Sequence, residues 1–143
     1  MYGALDIAVS GMIAQRTRLD VITANVVNKD AILDSRGEVN PYRRRLTLFA
    51  PGDPTATTAA GRKFGVHVAQ IGLDPTPFQP RAYDPDSPYA YKDGPYKGYV
   101  AGTNIDAIVE QIDQMEAIRA YEASLTAAET TKSMMAQGLR LIA

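Results

Sequence analysis

A mainly α fold, with long N- and C-terminal helices packed as a coiled coil around an irregular insert with short β-strands, follows from three observations. Near the start, Leu5, Ala8, Met12, Gln15, Leu19, Ile22 and Val26 recur at alternating spacings of three and four, a heptad seam with one polar lapse. A longer series at the far end keeps the same alternation. All 9 prolines lie between Pro41 and Pro95, which excludes compact helical packing from the middle of the chain.

The first seam predicts a helix over 4–28. At about 1.5 Å per residue it runs roughly 35–40 Å, too long for a small domain to cover without a partner helix. In the far series Ile105, Ile108, Ile112 and Met115 form one seam, and Ile118, Tyr121, Leu125, Ala128, Lys132, Met135, Leu139 and Ile142 form a second. The join drops phase between Met115 and Ile118, as a stammer does. Thr103 is the expected helix cap, with Asp106 three residues on in a short-armed capping box. Gly138 is the one glycine or proline after Gly102, so the helix is expected to reach the C-terminus. The chain therefore divides into an N-terminal helix (1–30), an irregular, partly β insert (31–102) and a C-terminal helix (103–143).

Within the insert, "PYRRRLTLFAP" reads as a short extended piece, and "KFGVHVAQI" alternates Phe64, Val66 and Val68 as a strand does. The small polar segment "GDPTATTAAG" between them is expected to be mobile. Five of the 8 tyrosines fall in "YDPDSPYAYKDGPYKGYV", which reads as an extended surface stretch with rings as anchors.

The 143 residues suffice for one domain with a core. A formal charge of −1 gives no global field for nucleic acid or anionic lipid. Zero cysteines remove disulfides, thiolate metal sites and thiol catalysis and leave the redox compartment open. No apolar run approaches the roughly 18–20 residues of a membrane span, and the N-terminus does not read as a secretory signal. No catalytic constellation emerges. His67 reads as a solvent-facing strand residue, Asp84 and Asp86 as turn formers about Pro85, and "GRKFG" lacks the ending of a phosphate loop. No cofactor or metal is expected. Arg43, Arg44 and Arg45 form the tight basic cluster; without an aromatic-basic motif nearby, it reads as ion pairing with protein.

The two ends together resemble the axial protein family of the bacterial flagellum, the rod, hook and hook-junction subunits. "LDIAVSGMIAQRTRLDVITANVVN" is similar to that family's N-terminal signature, with Ala24 and Val27 departing from its Asn-rich motif. Asn104, Glu110, Arg119, Tyr121, Lys132, Met134 and Leu139 fall where its C-terminal pattern places them. "GEVNPYRRRLTLF", "YDPDSPYA" and "KGYVAGTNID" are similar to internal segments of the short proximal rod members rather than the longer distal rod and hook proteins.

The resemblance implies a structural, non-enzymatic subunit whose terminal helices pack with other copies of itself and other rod proteins into a drive shaft in the periplasmic part of the basal body. It implies export through the flagellar type III apparatus and neighbours at the rotor or export-gate base. The residues expected to carry subunit packing are Leu5, Met12, Leu19, Ile22, Asn25, Asn28, Ile108, Ile112, Arg119, Tyr121, Leu125, Met135, Leu139 and Ile142. Tyr42, Arg43, Arg44, Arg45, Tyr83, Tyr89 and Tyr99 are expected to clamp adjacent subunits. Thr23, Asn25 and Asn28, which interrupt the first seam, are expected to set register by hydrogen bonding to neighbours. Three alternatives compete: the B-type member among the short proximal rod proteins, which shares the terminal signatures at similar length, a helical export chaperone or adaptor, and an enzyme built on His67, Asp84 or Asp86.

Overall fold

The computed structural model describes residues 2–142; the side chain of Ile142, expected to pack between subunits, lies outside the described residues. Helix α1 spans Tyr2–Val27, strand β1 Arg45–Pro51, helix α2 Ala59–Phe64, strand β2 Val66–Leu73 and helix α3 Ala107–Ile142. The expected pair of long helices is present, and they run antiparallel. Asn25 bonds Glu110, Arg18 pairs with Asp113 and Glu116, and Gly11 lies against Ser124, so position along α1 rises as position along α3 falls.

α3 begins later than its expected cap. The Asp106 carboxylate accepts from the Ile108 N–H at 2.8 Å, while the Thr103 hydroxyl donates to the Lys29 carbonyl at 2.6 Å. Thr103 thus ties the chain ahead of α3 to the chain leaving α1, and Asp106 takes the capping role. α3 then runs without a break through the Met115–Ile118 phase change.

β1 and β2 form a two-stranded antiparallel sheet whose register shifts between Leu48 and Phe49, leaving Ala69 as the extra residue of a bulge. The sheet packs on α1. The segment expected to be mobile is tied down instead. Asp53 Oδ1 accepts from the Thr55 N–H and hydroxyl, Thr58 caps α2 by accepting from Gly61 N–H, and Asp6 of α1 accepts from Thr57 and Thr58. Small polar residues here serve as turn and cap chemistry rather than as a flexible tether. Phe64 consequently ends α2 instead of opening β2. His67 is half-buried, not solvent-facing, because its Nδ1 lies 2.5 Å from the Gly52 carbonyl at the base of the hairpin.

The core sits off the predicted seam. On α1 the buried residues are Ser10, Ala14, Val21, Ile22 and Asn25, centred roughly 150° around the helix from the Leu5–Met12–Leu19 series, with Ile22 the one residue of the predicted seam among them. On α3 the covered face carries Glu110, Asp113, Ala117, Ala120, Ser124, Ala128, Thr131 and Met135, again at three-four spacing. Small residues let the helix axes approach closely. A Cβ at Gly11 would lie 2.9 Å from Ser124 Oγ, closer than a side chain there tolerates unless Ser124 shifts. Gly102 meets a harder wall: a Cβ would collide with the Gln79 carbonyl, where the chain entering α3 crosses the insert.

Candidate assembly interface

The polar interruptions of α1 go to different places. Thr23 Oγ1 donates to Leu19 O and Asn28 Nδ2 to Ala24 O, both within or at the end of their own helix. Asn25 alone is buried. Its Oδ1 accepts from Arg45 N–H and its Nδ2 donates to Arg45 O, both at 2.9 Å, so the amide pairs with β1 as a neighbouring strand would. Nδ2 also donates to Glu110 Oε2 at 3.1 Å. Asn25 thus aligns α1, β1 and α3 within one chain.

Glu110 is the centre of that junction, 0% exposed. Arg44 Nε donates to its Oε1 at 2.5 Å, and the same guanidinium reaches Asp113 Oδ2 at 2.6 Å and Asp74 Oδ2 at 3.4 Å. Asn104 holds the backbone beneath: its Oδ1 accepts from Arg44 N–H at 2.7 Å and its Nδ2 donates to Thr76 O at 3.1 Å. A second cation, Arg18, bonds Asp113 and Glu116. A carboxylate removed from water needs such pairing, since burying it alone costs far more than any single contact returns. Burial works against charge on Arg44, yet the Glu110 hydrogen bond and the surrounding carboxylates win, so its pKa is raised.

Asp74 is held below the ordinary carboxylate range chiefly by the Thr76 hydroxyl, then by the Thr76 N–H and by Arg44, against its burial. Asp53 is lowered first by the Thr55 hydroxyl and Asp6 first by that of Thr58. A lowered carboxyl stabilises the fold above its unfolded pKa, near 4, and the contribution is lost as pH falls through the folded value. The thermal midpoint is therefore expected to fall on acidification from about pH 5 to 3, with a shallower fall in Thr76→Val. Parallel pH profiles of variant and parent would contradict this.

Alternation along extended backbone separates the three arginines. Arg44 enters the junction. Arg43 Nη1 donates to the Asp74 and Thr76 carbonyls with its guanidinium 4.3 Å from the Phe78 ring centroid, and exposed Arg45 lies 5.3 Å over half-buried Tyr42. The cluster expected to clamp a neighbour is thus largely spent inside the chain. The tyrosine-rich segment is pinned by bridges between Tyr83 and Tyr99 and between Ala90 and Val100, with the Tyr83 and Tyr99 rings edge-on at 5.2 Å. Tyr83, Tyr89, Tyr96 and Tyr99 remain exposed on it.

The large apolar residues of α3 face outward. Ile108 and Ile112 are 68% and 61% exposed, and Met115, Ile118, Leu125, Met134, Leu139 and Leu141 are exposed as well. Leu5, Met12, Leu19, Tyr121 and Met135 are half-buried and Arg119 is exposed, whereas Ile22 is covered by its own chain. Of the residues expected at subunit contacts, Ile22, Asn25 and Arg44 are enclosed, since each is needed to join helices and sheet. Among the described residues no group of three or more acidic or histidine side chains is placed to hold a metal ion, and no helix is long and apolar enough to cross a membrane.

Comparison with known proteins decides the family. Residues 5–30 match the model described as flagella basal body rod protein, and residues 96–141 match that of the flagellar basal body rod FlgEFG protein C-terminal. Flagellar basal-body rod protein FlgC of Borreliella burgdorferi is 33% identical over 99% of this chain and 97% of its own length. The chain belongs to the FlgC family of flagellar basal-body rod proteins. FlgC of Yersinia enterocolitica (36%) and of Bacillus subtilis (31%) are similar over 99% and 98% of the chain, each with 97% of its own length covered. The FlgC likeness spans the insert as well as both helices, in keeping with the short-insert segments read from the sequence.

Asn104 and Glu110 were legible as positions of the family pattern, but not as two parts of one buried junction. Arg18, Asp74 and Asp113 carried no local signal. Each meets partners tens of residues away, and as a surface charge on a helix or turn each looks unremarked in one dimension.

Proposed function

We propose that the chain is a structural subunit of the proximal rod, packing with other copies and with other rod proteins into the shaft that transmits torque across the periplasm. One observation carries this reading. Beyond the charged junction near Glu110, the face of α3 turned to its own chain carries mainly Ala and Ser, while Ile108, Ile112, Met115, Leu125 and Leu139 are left to water. Covering a large aliphatic side chain is worth about 1.5–3 kcal/mol, so an uncovered stripe of this length favours helix partners from other subunits.

The half-exposed α1 seam, Leu5, Met12 and Leu19, forms the second face of that packing. Met135, Tyr121 and Arg119 border the contact. Asn28 marks the end of α1, and Tyr42, Tyr83, Tyr89, Tyr99 and Arg45 face adjoining subunits from the insert. Ile22, Asn25, Arg43 and Arg44 contribute indirectly by holding the subunit's shape. Repeated between unlike faces, such contacts generate a tube rather than a closed dimer. The chain reaches this place through the flagellar type III export apparatus and meets the rotor or export-gate base; its role requires no cofactor, nucleic acid or catalysis.

Deleting the gene and imaging cells by electron cryotomography tests the proposal. Rod and hook are expected to be lost and restored by the full chain, but not by one truncated after Gln114. A complete rod in the deletion strain would refute it.

A further inference from the structure

Residues 81–101 fold on themselves. Arg81 N–H donates to Val100 O at 2.9 Å and Val100 N–H to Ala82 O at 3.0 Å. Further in, Asp84 N–H donates to Gly98 O and Tyr91 N–H to Tyr99 O, both at 2.9 Å, and the Tyr83 ring fills the space beside Gly98. Among the described residues, every hydrogen bond made by 82–101 ends within 81–101. The two backbone segments that enter and leave this lobe lie against each other. Gln79 N–H faces Thr103 O at 3.4 Å, and Gly102 fits beside the Gln79 carbonyl only because it has no Cβ. A self-bonded loop whose ends are held together is a compact surface unit.

The lobe is fastened to the helix pair at one place. Arg81 Nη2 donates to the Lys29 carbonyl at 3.1 Å and pairs with the Asp30 carboxylate, just past the end of α1. Among the described residues this is the only ion pair between the lobe and the rest of the chain, and its two side chains are 41% and 64% exposed. Thr103, below the neck, bonds the same Lys29 carbonyl, so the neck keeps its own anchor when the pair opens. Between the base of the lobe and the helix ends lies an open cleft of about 200 Å³, lined by Lys29, Asp30, Pro80, Arg81, Ile105 and Ala107.

We infer that residues 81–101 are a hinged lobe, latched by the Arg81–Asp30 pair, that swings as one unit about the neck at Gln79 and Gly102 when the pair opens. Its internal bonds keep it folded without help from the helices, and the cleft at its base gives it room. The tie that fixes its direction is a surface ion pair, a weak interaction that salt screens. Units joined to a fold by few buried contacts open at low cost. What the hinge turns is a set of exposed rings, Tyr83, Tyr89, Tyr96 and Tyr99. The latch therefore decides the direction in which the tyrosine surface is presented, while the helix pair stays unchanged. This is a property of the single chain and does not depend on what the rings meet.

The chain has no cysteine, so two introduced cysteines can carry nitroxide labels without background. Labels at Lys92, exposed in the lobe, and at Gln111, exposed on α3, report the direction of the lobe by pulsed electron–electron double resonance. At about 0.05 M salt the otherwise unaltered chain is expected to give one narrow distance. Arg81→Gln and, separately, Asp30→Asn are each expected to add a displaced population or to widen the distribution roughly twofold, as is about 1 M salt, where the screening length is about 3 Å. The Tyr91, Gly98 and Val100 amides, bonded inside the lobe, are expected to keep their protection from hydrogen exchange throughout. One unchanged narrow distance in both variants would overturn the hinge, because other contacts would then be holding the lobe. Loss of protection at those amides with helical circular dichroism retained would also overturn it, because the lobe would be melting rather than swinging. If either variant loses its helices, the salt series on the labelled chain with Arg81 and Asp30 in place decides by the same two readings.

Discussion

Replacing Glu110 by alanine is expected to destabilise the chain by about 3–5 kcal/mol, the usual cost of breaking a buried ion pair from one side. The residue is fully enclosed and receives bonds from Arg44 and Asn25. Removing it leaves Arg44 facing only Asp113 and Asp74, strips Asn25 of its α3 partner and opens a cavity where three elements meet. Glu110→Gln is expected to cost less, because its amide oxygen can still accept one of the two bonds while its NH₂ faces a guanidinium. Urea unfolding of the purified full chain, followed by circular dichroism, reads both. With slopes of about 1–3 kcal/mol per molar urea, a loss of 3 kcal/mol moves the midpoint by about 1 M or more. Equal midpoints for Glu110→Ala and the parent would show that the junction is not a stabilising element. In cells the same substitution is expected to lower rod assembly through the fold, so reduced motility would accompany reduced chain abundance.

The second large effect separates assembly from stability. Ile112→Asp is expected to leave the fold within about 0.5 kcal/mol of the parent, since the side chain is 61% exposed. It is nevertheless expected to abolish swimming, because a carboxylate placed in an apolar helix contact must be desolvated at every repeat of that contact. Gln111→Asp, next in sequence and also exposed, is the control that should still swim. Soft-agar motility, with circular dichroism on the purified variant, makes the comparison. An Ile112→Asp strain that swims normally would remove the α3 stripe from the assembly interface.

These two residues, two positions apart on one helix, show why α3 serves two purposes. Positions 110 and 112 lie about 200° apart around the helix axis. One faces the junction and the other faces water. The inward face carries charge at one end and small residues along its length; the outward face carries the bulk. A single chain built the opposite way, with isoleucines inside, would fold as an ordinary helical hairpin and leave nothing apolar for a neighbour.

Periodicity and composition were enough to determine that two long helices flank a proline-broken, partly β insert, because helix spacing and proline exclusion are local properties of the chain. The terminal signatures and internal segments were likewise enough to point to the flagellar axial family. Which side of each helix would be inside was beyond that reading. A heptad pattern says that an apolar stripe will be covered, not whether its own chain or another covers it. Here close approach at Gly11, Ala14, Ala117 and Ser124 turned the small-residue faces together and left the Ile108–Ile112 stripe out. The role of the asparagines was decided the same way. Thr23, Asn25 and Asn28 look alike in sequence, yet only Asn25 points at the place where β1 passes α1, and only there does an amide find a backbone N–H, a carbonyl and a buried carboxylate together. Long-range geometry assigned Arg44 to three acids on two separate segments, because the side chains that neutralise a buried charge are chosen by proximity in space, and nothing in their sequence spacing records it.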